Sequence, residues 1–115
     1  MNEPFGFGII GAGVISAWHA AGIKAHPDGR IAAIASRSRG KAESFAAEHQ
    51  CEVMNDWREL IRRDDIQAVC ICTPSGLHAE QAAAAAEAGK HVLVEKPMAI
   101  TLHECDRMIQ AARDN

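Results

Sequence analysis

Short apolar runs alternate along the chain with longer segments in which apolar residues recur every three or four positions. Five runs predict β-strands: Phe7–Ile10, Arg30–Ala35, Cys51–Met54, Ile66–Cys72 and His91–Val94. The segments between these runs predict helices. Strands that alternate with helices are typical of a parallel sheet with helices packed on its faces. We therefore predict an α/β fold of the doubly wound Rossmann type, with a parallel sheet between two helical layers.

The first and last predicted helices carry apolar residues at helical spacing. In the first helix these are Ile15, Trp18, Gly22 and Ala25. Trp18, like Trp57 further along the chain, is assigned to the core or to an interface. In the last helix, Thr101 and Glu104 form a T-x-x-E capping box that predicts the helix start. The predicted buried stripe of that helix consists of Leu102, Cys105, Met108, Ile109 and Ala112.

A glycine-rich turn, Gly-Ala-Gly-Val-Ile-Ser, joins the first strand to the first helix. In dinucleotide-binding βαβ units, such a turn places a pyrophosphate at the helix N-terminus. Gly11 allows the tight turn, and Gly13 lets the backbone approach the phosphates without an intervening Cβ. Ser16 replaces the third glycine of the pattern with another small residue. The candidate cofactor-binding residues in this turn are Gly11, Ala12, Gly13, Val14 and Ile15.

The loop after the second strand indicates which dinucleotide is bound. NAD-selective sites usually carry an acidic residue about 20 residues beyond the glycine turn. Here the sequence is Ser36-Arg37-Ser38-Arg39, which has no carboxylate and two arginines. Guanidinium groups pair well with phosphate, so Ser36, Arg37 and Arg39 favour NADP over NAD. The alternative is that the arginines are solvated residues at a helix start, which applies to Arg39 more than to Arg37.

The loop after the fourth strand also lies at the edge where open α/β sheets bind ligands. Thr73 and Pro74 end the strand, and an alanine-rich helix is predicted from about Leu77 to Ala88. Ser75 is expected to cap this helix, whose free N–H groups favour a nearby anion or ribose oxygen. His78 lies one turn into the helix. It is expected either to face the cleft beside the cofactor or to be structural.

The loop after the fifth strand contains the sharpest chemical candidate. Lys96 lies between Glu95 and Pro97, directly after a buried strand. A lysine on a fixed backbone at the cleft can polarise a carbonyl group or help to move an alcohol proton during hydride transfer. Glu95 can hydrogen-bond a cofactor hydroxyl or orient the lysine. The alternative is that the Glu-Lys pair belongs to a solvated loop.

Composition and charge narrow the classes of function. The chain has 115 residues and a formal net charge of −3, which gives no sign of a nucleic-acid partner. No apolar run approaches the ~18 residues needed to span a bilayer, and the N-terminus does not resemble a signal peptide. The four cysteines lack zinc-site spacing, so we predict no metal, packing roles for Cys70 and Cys72, and a cytoplasmic location.

Three segments together resemble the N-terminal domain of the Gfo/Idh/MocA oxidoreductases: Gly8–His19, Ala68–His78 and Ala88–Ala99. The resemblance covers essentially the whole chain, and its Glu-Lys-Pro segment is specific. It implies NAD(P)-dependent oxidation or reduction of sugars, cyclitols or similar hydroxyl and carbonyl compounds.

The resemblance also implies roles for individual residues. Lys96 corresponds to a catalytic lysine near the nicotinamide. The residues implied to line the cofactor are Glu95, Thr73, Pro74 and His78. Ser75 stands where asparagine is common in the family.

On this view, residues 1–115 form an NAD(P)-binding Rossmann domain. The family's C-terminal domain, which binds substrate and usually forms a homo-oligomer interface, is absent from the chain. We expect this domain to bind a dinucleotide but not to turn over substrate by itself. Two other functions stay open: an NAD-dependent glycoside hydrolase of the same family, and a non-catalytic dinucleotide-binding regulatory module.

Overall fold

The structure, a computed structural model, describes residues 3–115 and contains one five-stranded parallel sheet. The strands are β1 (Phe5–Ile10), β2 (Gly29–Ala35), β3 (Glu52–Met54), β4 (Ala68–Ile71) and β5 (His91–Val94). The helices are α1 (Val14–Ala25), α2 (Arg39–His49), α3 (Trp57–Leu60), α4 (His78–Glu87) and α5 (Leu102–Asp114). A single 3₁₀ turn, Ser75–Leu77, precedes α4.

The strand order is β3-β2-β1-β4-β5, so β1 lies at the centre of the sheet. The chain winds outward from β1 through β2 to β3, then crosses back to the other side of β1 and continues through β4 to β5. This reversal creates a topological switch point between β1 and β4, and ligands of such sheets bind in the crevice beyond it. The predicted doubly wound fold is confirmed.

Both faces of the sheet carry helices, which gives the predicted three layers. On one face, α1 and α2 cover a cluster that includes Ile9, Ile34 and Phe45. On the other face, α3, α4 and α5 cover a cluster that includes Leu60 and Ile71. Neighbouring strand residues point to opposite faces. Apolar runs in the central strands therefore supply both clusters at once, as parallel strands buried on both faces do.

The first helix is rotated relative to its predicted apolar stripe. Its buried residues are Ser16, Ala20 and Ile23, whereas Ile15 is exposed and Trp18 is 72% exposed. The core alternative for Trp18 is therefore wrong, and its assignment to an interface stays a prediction. The small side chains of Ser16 and Ala20 let the helix approach the sheet closely. Because nearly every position in this helix is apolar or small, periodicity alone does not show which stripe faces inward.

The last helix begins as predicted but buries a different stripe. Thr101 and Glu104 form the full reciprocal capping box. Met108 and Ala111 are the buried residues, while Leu102, Ile109 and Ala112 of the predicted stripe are exposed and Cys105 is partly buried. Ala111 packs against alanines of α4, so small residues again set the contact between elements.

Local caps set two other helix boundaries. Gly89 adopts φ = +81° just beyond Ala88, the C-cap of α4, and its N–H donates to Ala86 O. The next N–H, of Lys90, donates to Ala85 O, which completes a Schellman motif. Asp56 caps α3 by accepting a hydrogen bond from the Arg58 N–H at 2.9 Å, and Trp57 packs against the core cluster.

Candidate functional site

A cleft of about 640 Å³ opens at the carboxyl ends of β1, β2 and β4, at the switch point of the sheet. Seven of the predicted cofactor-binding residues line it: Gly11, Ala12, Gly13, Ser36, Arg37, Thr73 and Pro74. Val14, Ile15, Arg39, Ser75, His78, Glu95, Lys96 and Pro97 do not line this cleft. Three of the four predicted loops therefore meet around one cavity, and the fourth lies outside its wall.

The glycine turn has the geometry of a phosphate cradle. Gly11 has φ = +103°, and its N–H donates to Ala35 O at 2.8 Å. A Cβ on Gly13 would meet no atom within 4 Å among residues 3–115, so the space above this residue is open toward the cleft. No side chain in the described part of the chain caps α1 at Gly13. The first N–H groups of α1 are therefore available to an anion.

Ser16 fixes the start of α1 from below. Its side chain is 1% exposed, and its hydroxyl donates a hydrogen bond to Gly13 O. A third glycine in the fingerprint normally permits close packing of helix and strand. Here a small hydroxyl residue is buried at the position of that glycine and satisfies its own polar group locally.

The loop after β2 brings one arginine and one lysine to the cleft. Arg37 lines the cavity, as does Lys41 in the first turn of α2. Ser36 accepts a hydrogen bond from the Ser38 N–H at 3.1 Å, and Ser38 caps α2 by accepting from the Lys41 N–H at 3.4 Å. These bonds set the turn that carries both cations. Lys41 was not predicted, because the predicted cofactor loop covered only Ser36–Arg39. Its position four residues after Arg37, in the first turn of the next helix, was the available signal.

Arg39 is engaged elsewhere. Its Nε donates to Glu43 Oε1 at 2.9 Å, and its Nη1 donates to Asn55 Oδ1. This side chain therefore lies along the surface of α2 and does not line the cleft. Its contacts agree with the alternative interpretation, in which Arg39 is a solvated residue at the helix start.

The far wall of the cleft consists of residues that were not predicted to bind the cofactor. They follow β3 or begin α3 and α4, and they are Asn55, Asp56, Trp57, Arg58, Leu77, Glu80 and Gln81. The Arg58 guanidinium stacks 4.4 Å from the Trp57 ring centroid and binds Glu80 at 3.1 Å. The position of the loop after β3 could have indicated these residues, because this loop also follows the carboxyl end of a strand, where ligands bind.

The loop after β4 is held by α4. The Thr73 hydroxyl donates to Gln81 Oε1 at 2.6 Å, and Gln81 is almost fully buried. Ser75 does not cap α4, contrary to the prediction. It starts the 3₁₀ turn instead, because the chain tightens between Pro74 and Leu77, whose N–H donates to Pro74 O at 2.9 Å.

His78 does not face the cleft, which corrects one of our two expectations. Its ring is 1% exposed and lies between two loops. Nδ1 is 2.8 Å from Pro97 O, and Nε2 is 2.8 Å from Thr73 O. The ring therefore connects the loop after β4 to the loop after β5 from beneath the site.

Lys96 has an exposed side chain and directly follows the last residue that pairs in β5. The preceding residue, Glu95, extends the β5 pairing through its N–H to Ile71 O at 3.0 Å. The Glu95 carboxylate lies 3.5 Å from His19 Nε2 on α1. The following peptide bond, to Pro97, is cis. Within residues 3–115 the Lys96 ammonium forms no hydrogen bond or ion pair, so it can reach a bound molecule without breaking an existing contact.

A second groove, about 770 Å³, runs beside α1 over β4 and β5. It is larger and more apolar than the cleft, and Phe5, Phe7, Trp18 and Leu93 form much of its lining. Ile15 and Glu95, two of the predicted cofactor-binding residues, line this groove, but Gly11, Gly13 and Arg37 do not, so the groove lacks the groups that bind phosphate. It marks the part of the sheet face that α1 leaves uncovered, where Leu93 is 53% exposed.

The cysteine thiols near these sites are not suited to nucleophilic chemistry. Burial raises the pKa of the Cys70 thiol to about 11. Burial, with smaller contributions from Cys70 and Glu95, raises the pKa of the Cys72 thiol to about 12. Both residues belong to the cluster under α1 and α2, as the packing interpretation predicted. A protonated thiol is a weak nucleophile and a weak metal ligand.

No helix within residues 3–115 combines the length and the apolar character that a membrane span requires.

The parallel sheet, the positive-φ glycine turn and the crevice at the switch point define a Rossmann-type dinucleotide-binding domain. A family model described as an oxidoreductase family with an NAD-binding Rossmann fold matches residues 5–115. The chain belongs to this family, the Gfo/Idh/MocA oxidoreductases.

Similar proteins include an oxidoreductase and a sugar-nucleotide reductase. The chain is 39% identical over 114 residues to the uncharacterized oxidoreductase YrbE of Bacillus subtilis, covering 98% of this chain and 33% of that protein. It is 45% identical over 83 residues to dTDP-3,4-didehydro-2,6-dideoxy-alpha-D-glucose 3-reductase of Saccharopolyspora spinosa. This match covers 72% of this chain and 25% of that protein.

Among solved structures, the crystal structure of KijD10, a 3-ketoreductase from Actinomadura kijaniata in complex with NADP and TDP-benzene, superposes with a TM-score of 0.89. The two sequences are 36% identical, and the match covers 97% of this chain and 35% of KijD10. The chain thus spans about a third of the length of the relatives that it matches over nearly its whole length.

Proposed function

We propose that this chain is the cofactor-binding domain of an NADP-dependent oxidoreductase that acts on a sugar, cyclitol or similar hydroxyl or carbonyl compound. The observation that carries the proposal is the composition of one cleft. The N-terminus of α1 has no side-chain cap, and the space next to Gly13 is unoccupied. Two cationic residues, Arg37 and Lys41, line the same cleft from the loop after β2 and the start of α2. A dinucleotide with a 2′-phosphate requires both features in one cavity.

The residues present fit NADP at two places. The pyrophosphate is bound at Gly11–Gly13, where a Cβ on Gly13 would fill the space that the phosphates need. The 2′-phosphate is bound by Arg37 and Lys41, with Ser36 shaping the loop. No carboxylate in Ser36–Arg39 repels a second anionic group. The NADP found in the structure of KijD10 supports the same assignment.

We assign Lys96 to the reaction and Thr73, Pro74 and Glu95 to the nicotinamide half of the cofactor. When bound, NADPH would supply the hydride for reduction and NADP⁺ would accept it in oxidation. The Lys96 ammonium donates a proton to the substrate oxygen during reduction, and in the reverse direction the neutral Lys96 amine takes the hydroxyl proton of the alcohol. Its freedom from competing contacts and its place after β5 support this role.

The rest of the catalytic apparatus is proposed to lie outside this chain. Relatives are about three times as long, and two of those named here are reductases. We propose that the remaining two-thirds of such a protein binds the sugar-like substrate and forms a homo-oligomer. The four free thiols in the described structure support a reducing location such as the cytoplasm.

The assignment is tested by an NMR titration of the ¹⁵N-labelled chain with NADPH. We expect saturable shifts in the amides of Gly11–Ser16, Ser36–Lys41 and Thr73, which line or border the cleft. The amides of Gln110 and Arg113, which are exposed on α5 and line neither the cleft nor the groove, serve as internal controls and should shift less. Shifts confined to the groove, or no saturable shifts at all, would contradict the proposed function.

A further inference from the structure

The segment that contains Lys96 is almost unsupported by hydrogen bonds. β5 pairing ends at Glu95, and α5 begins only at Leu102. Within residues 3–115, the stretch 96–100 takes part in one hydrogen bond, from His78 Nδ1 to Pro97 O at 2.8 Å. Pro97 is therefore tethered by a single side-chain hydrogen bond, and Ala99, two residues later, packs against the core cluster.

The His78 side chain belongs to an element with a fixed position. His78 is the first residue of α4, and α4 packs against the core through Ala79, Ala82 and Ala85. The ring itself is 1% exposed, so it has little room to move. The other ring nitrogen, Nε2, lies 2.8 Å from Thr73 O, which Gln81 also anchors through the Thr73 hydroxyl. The loop after β4 thus has two anchors on α4, whereas the Lys96 segment has one.

The two bonds of His78 impose a chemical condition on the ring. Carbonyl oxygens only accept hydrogen bonds, and a neutral imidazole donates from only one nitrogen. The tether to Pro97 O therefore requires the tautomer in which Nδ1 carries the proton.

On the opposite side of the sheet, a second histidine contacts the residue before Lys96. His19, on α1, places Nε2 at 3.5 Å from Glu95 Oε1, and both side chains are partly shielded from solvent. Glu95 and Pro97 are the two neighbours of Lys96, and helices on different faces of the sheet hold them. This contact is longer than the His78 bonds, and it directs the Glu95 side chain away from Lys96.

We propose that His78 is a positioning residue for Lys96: it tethers Pro97 to α4 and so fixes the backbone that presents the lysine to the nicotinamide half of the cofactor. The inference rests on the proposed function. Reaction rates depend on placing the reacting group to within fractions of an ångström. Loss of the hydrogen bond between His78 and Pro97 should therefore lower the rate measurably. His78 does this from beneath the site, without touching the bound molecule.

Two conservative substitutions separate the two bonds. The amide nitrogen of asparagine occupies about the position of Nδ1, and that of glutamine about the position of Nε2. H78N therefore keeps a donor for Pro97 O and loses the one for Thr73 O, whereas H78Q does the reverse. The matched control is H103Q, because His103 is exposed on α5.

We expect H78Q to lower the backbone ¹⁵N order parameters of Lys96, Met98 and Ala99 and, in the catalytically complete oxidoreductase, to lower kcat several-fold while NADPH affinity stays within about threefold. Binding of adenosine 2′,5′-bisphosphate, which lacks the nicotinamide half, should not change. H78N should rescue both readouts, and H103Q should match the unsubstituted protein. Loss of adenosine 2′,5′-bisphosphate binding in H78Q, or unchanged order parameters at Lys96, would overturn the proposal. Failure of the unsubstituted chain to bind either ligand would instead overturn the proposed function.

A measurement on the unsubstituted chain covers the case in which both variants fail to fold. Proton NMR of the ¹⁵N-histidine-labelled protein should show a slowly exchanging ring N–H signal at His78 Nδ1, the nitrogen that faces Pro97 O. Absence of a proton on Nδ1 would overturn the proposal, because Pro97 O would then have no donor.

Discussion

The Cα of Gly11 faces the main chain of Cys72 so closely that a Cβ on Gly11 would lie 2.5 Å from Cys72 O. Gly11 follows β1 and Cys72 follows β4, the two strands on either side of the switch point. The ends of these strands therefore approach each other backbone to backbone, and the crevice for the cofactor opens directly above them. Two residues later, Gly13 meets open space. The two glycines of one turn thus serve different purposes.

Substituting the two glycines should separate folding from binding. Gly11→Ala places a Cβ against Cys72 O in a left-handed backbone conformation, a strain we expect to cost about 1–3 kcal/mol of unfolding free energy. Gly13→Ala should leave stability within about 0.5 kcal/mol and weaken NADPH binding by roughly tenfold or more, because the methyl group occupies the phosphate position. Urea denaturation and calorimetry measure the two effects. An equal loss of stability in both variants would contradict this division.

Cofactor selectivity should depend on Arg37 and not on Arg39. A charge-assisted hydrogen bond contributes about 1.5–3 kcal/mol, so Arg37→Ala should weaken NADPH binding by roughly tenfold or more while changing NADH binding little. Arg39→Ala is the matched control, because Arg39 is occupied by Glu43 and Asn55. Fluorescence titration with each reduced cofactor gives the ratio. Equal losses for NADPH and NADH in Arg37→Ala would mean that this side chain does not contact the 2′-phosphate.

Lys96 should matter for turnover and not for cofactor affinity. In the catalytically complete oxidoreductase, Lys96→Ala should lower kcat by roughly 10²–10⁴-fold, the usual contribution of a positioned acid or base. Its NADPH affinity should stay within about threefold, since little binding energy is assigned to this exposed group. Lys24→Ala, an exposed lysine on α1 beside His49, provides the control. Near-normal kcat in Lys96→Ala would remove this lysine from the mechanism.

Truncating the buried Leu60 should lower the free energy of unfolding much more than truncating the exposed Trp18. Leu60 is 0% exposed and packs in the cluster beneath α3, so Leu60→Ala should cost about 2–5 kcal/mol. Trp18 is 72% exposed, and Trp18→Ala should change the free energy of unfolding by at most about 0.5 kcal/mol. Urea denaturation compares the two variants directly. A large loss in Trp18→Ala would show that the indole ring is packed in solution.

Stability should fall in mildly alkaline solution because of the buried thiols. In the unfolded chain these thiols ionise near 9.0, whereas the folded chain holds the pKa of Cys70 at about 11 and that of Cys72 at about 12. Above pH 9 the unfolded state releases these protons first, so rising pH favours unfolding until the folded-state pKa values are passed. Cys70→Ala should make the decline between pH 8 and 10 shallower. If the decline in stability with pH were equally steep in Cys70→Ala, ionisation of Cys70 would not be one of its causes.

The fold and most of the phosphate cradle could be predicted from the sequence, because both depend on local patterns. Alternating apolar runs determine the sheet, and the residues of the glycine turn lie next to one another in the chain. The orientation of α1 could not be predicted, since Ser16 and Trp18 mark competing stripes on a helix that is apolar or small nearly all round.

The rest of the site depends on contacts between residues distant in sequence. The sequence left open whether His78 faces the cleft or is structural, because its partner Pro97, which holds the ring beneath the loops, lies 19 residues away. Lys41 and Arg58 reach the cleft only because α2 and α3 start at the same edge of the sheet. Such convergence follows from the strand order, which no single motif specifies.

The central claim, that this cleft binds NADP, is tested most directly by calorimetric titration of the 115-residue chain with NADPH and with NADH side by side. The account predicts saturable binding of one equivalent of NADPH, with a Kd roughly tenfold or more below that of NADH, because Arg37 and Lys41 meet the 2′-phosphate. Equal affinity for the two cofactors would contradict the assignment of these cations. Absence of binding by the folded chain would contradict the cleft as a dinucleotide site.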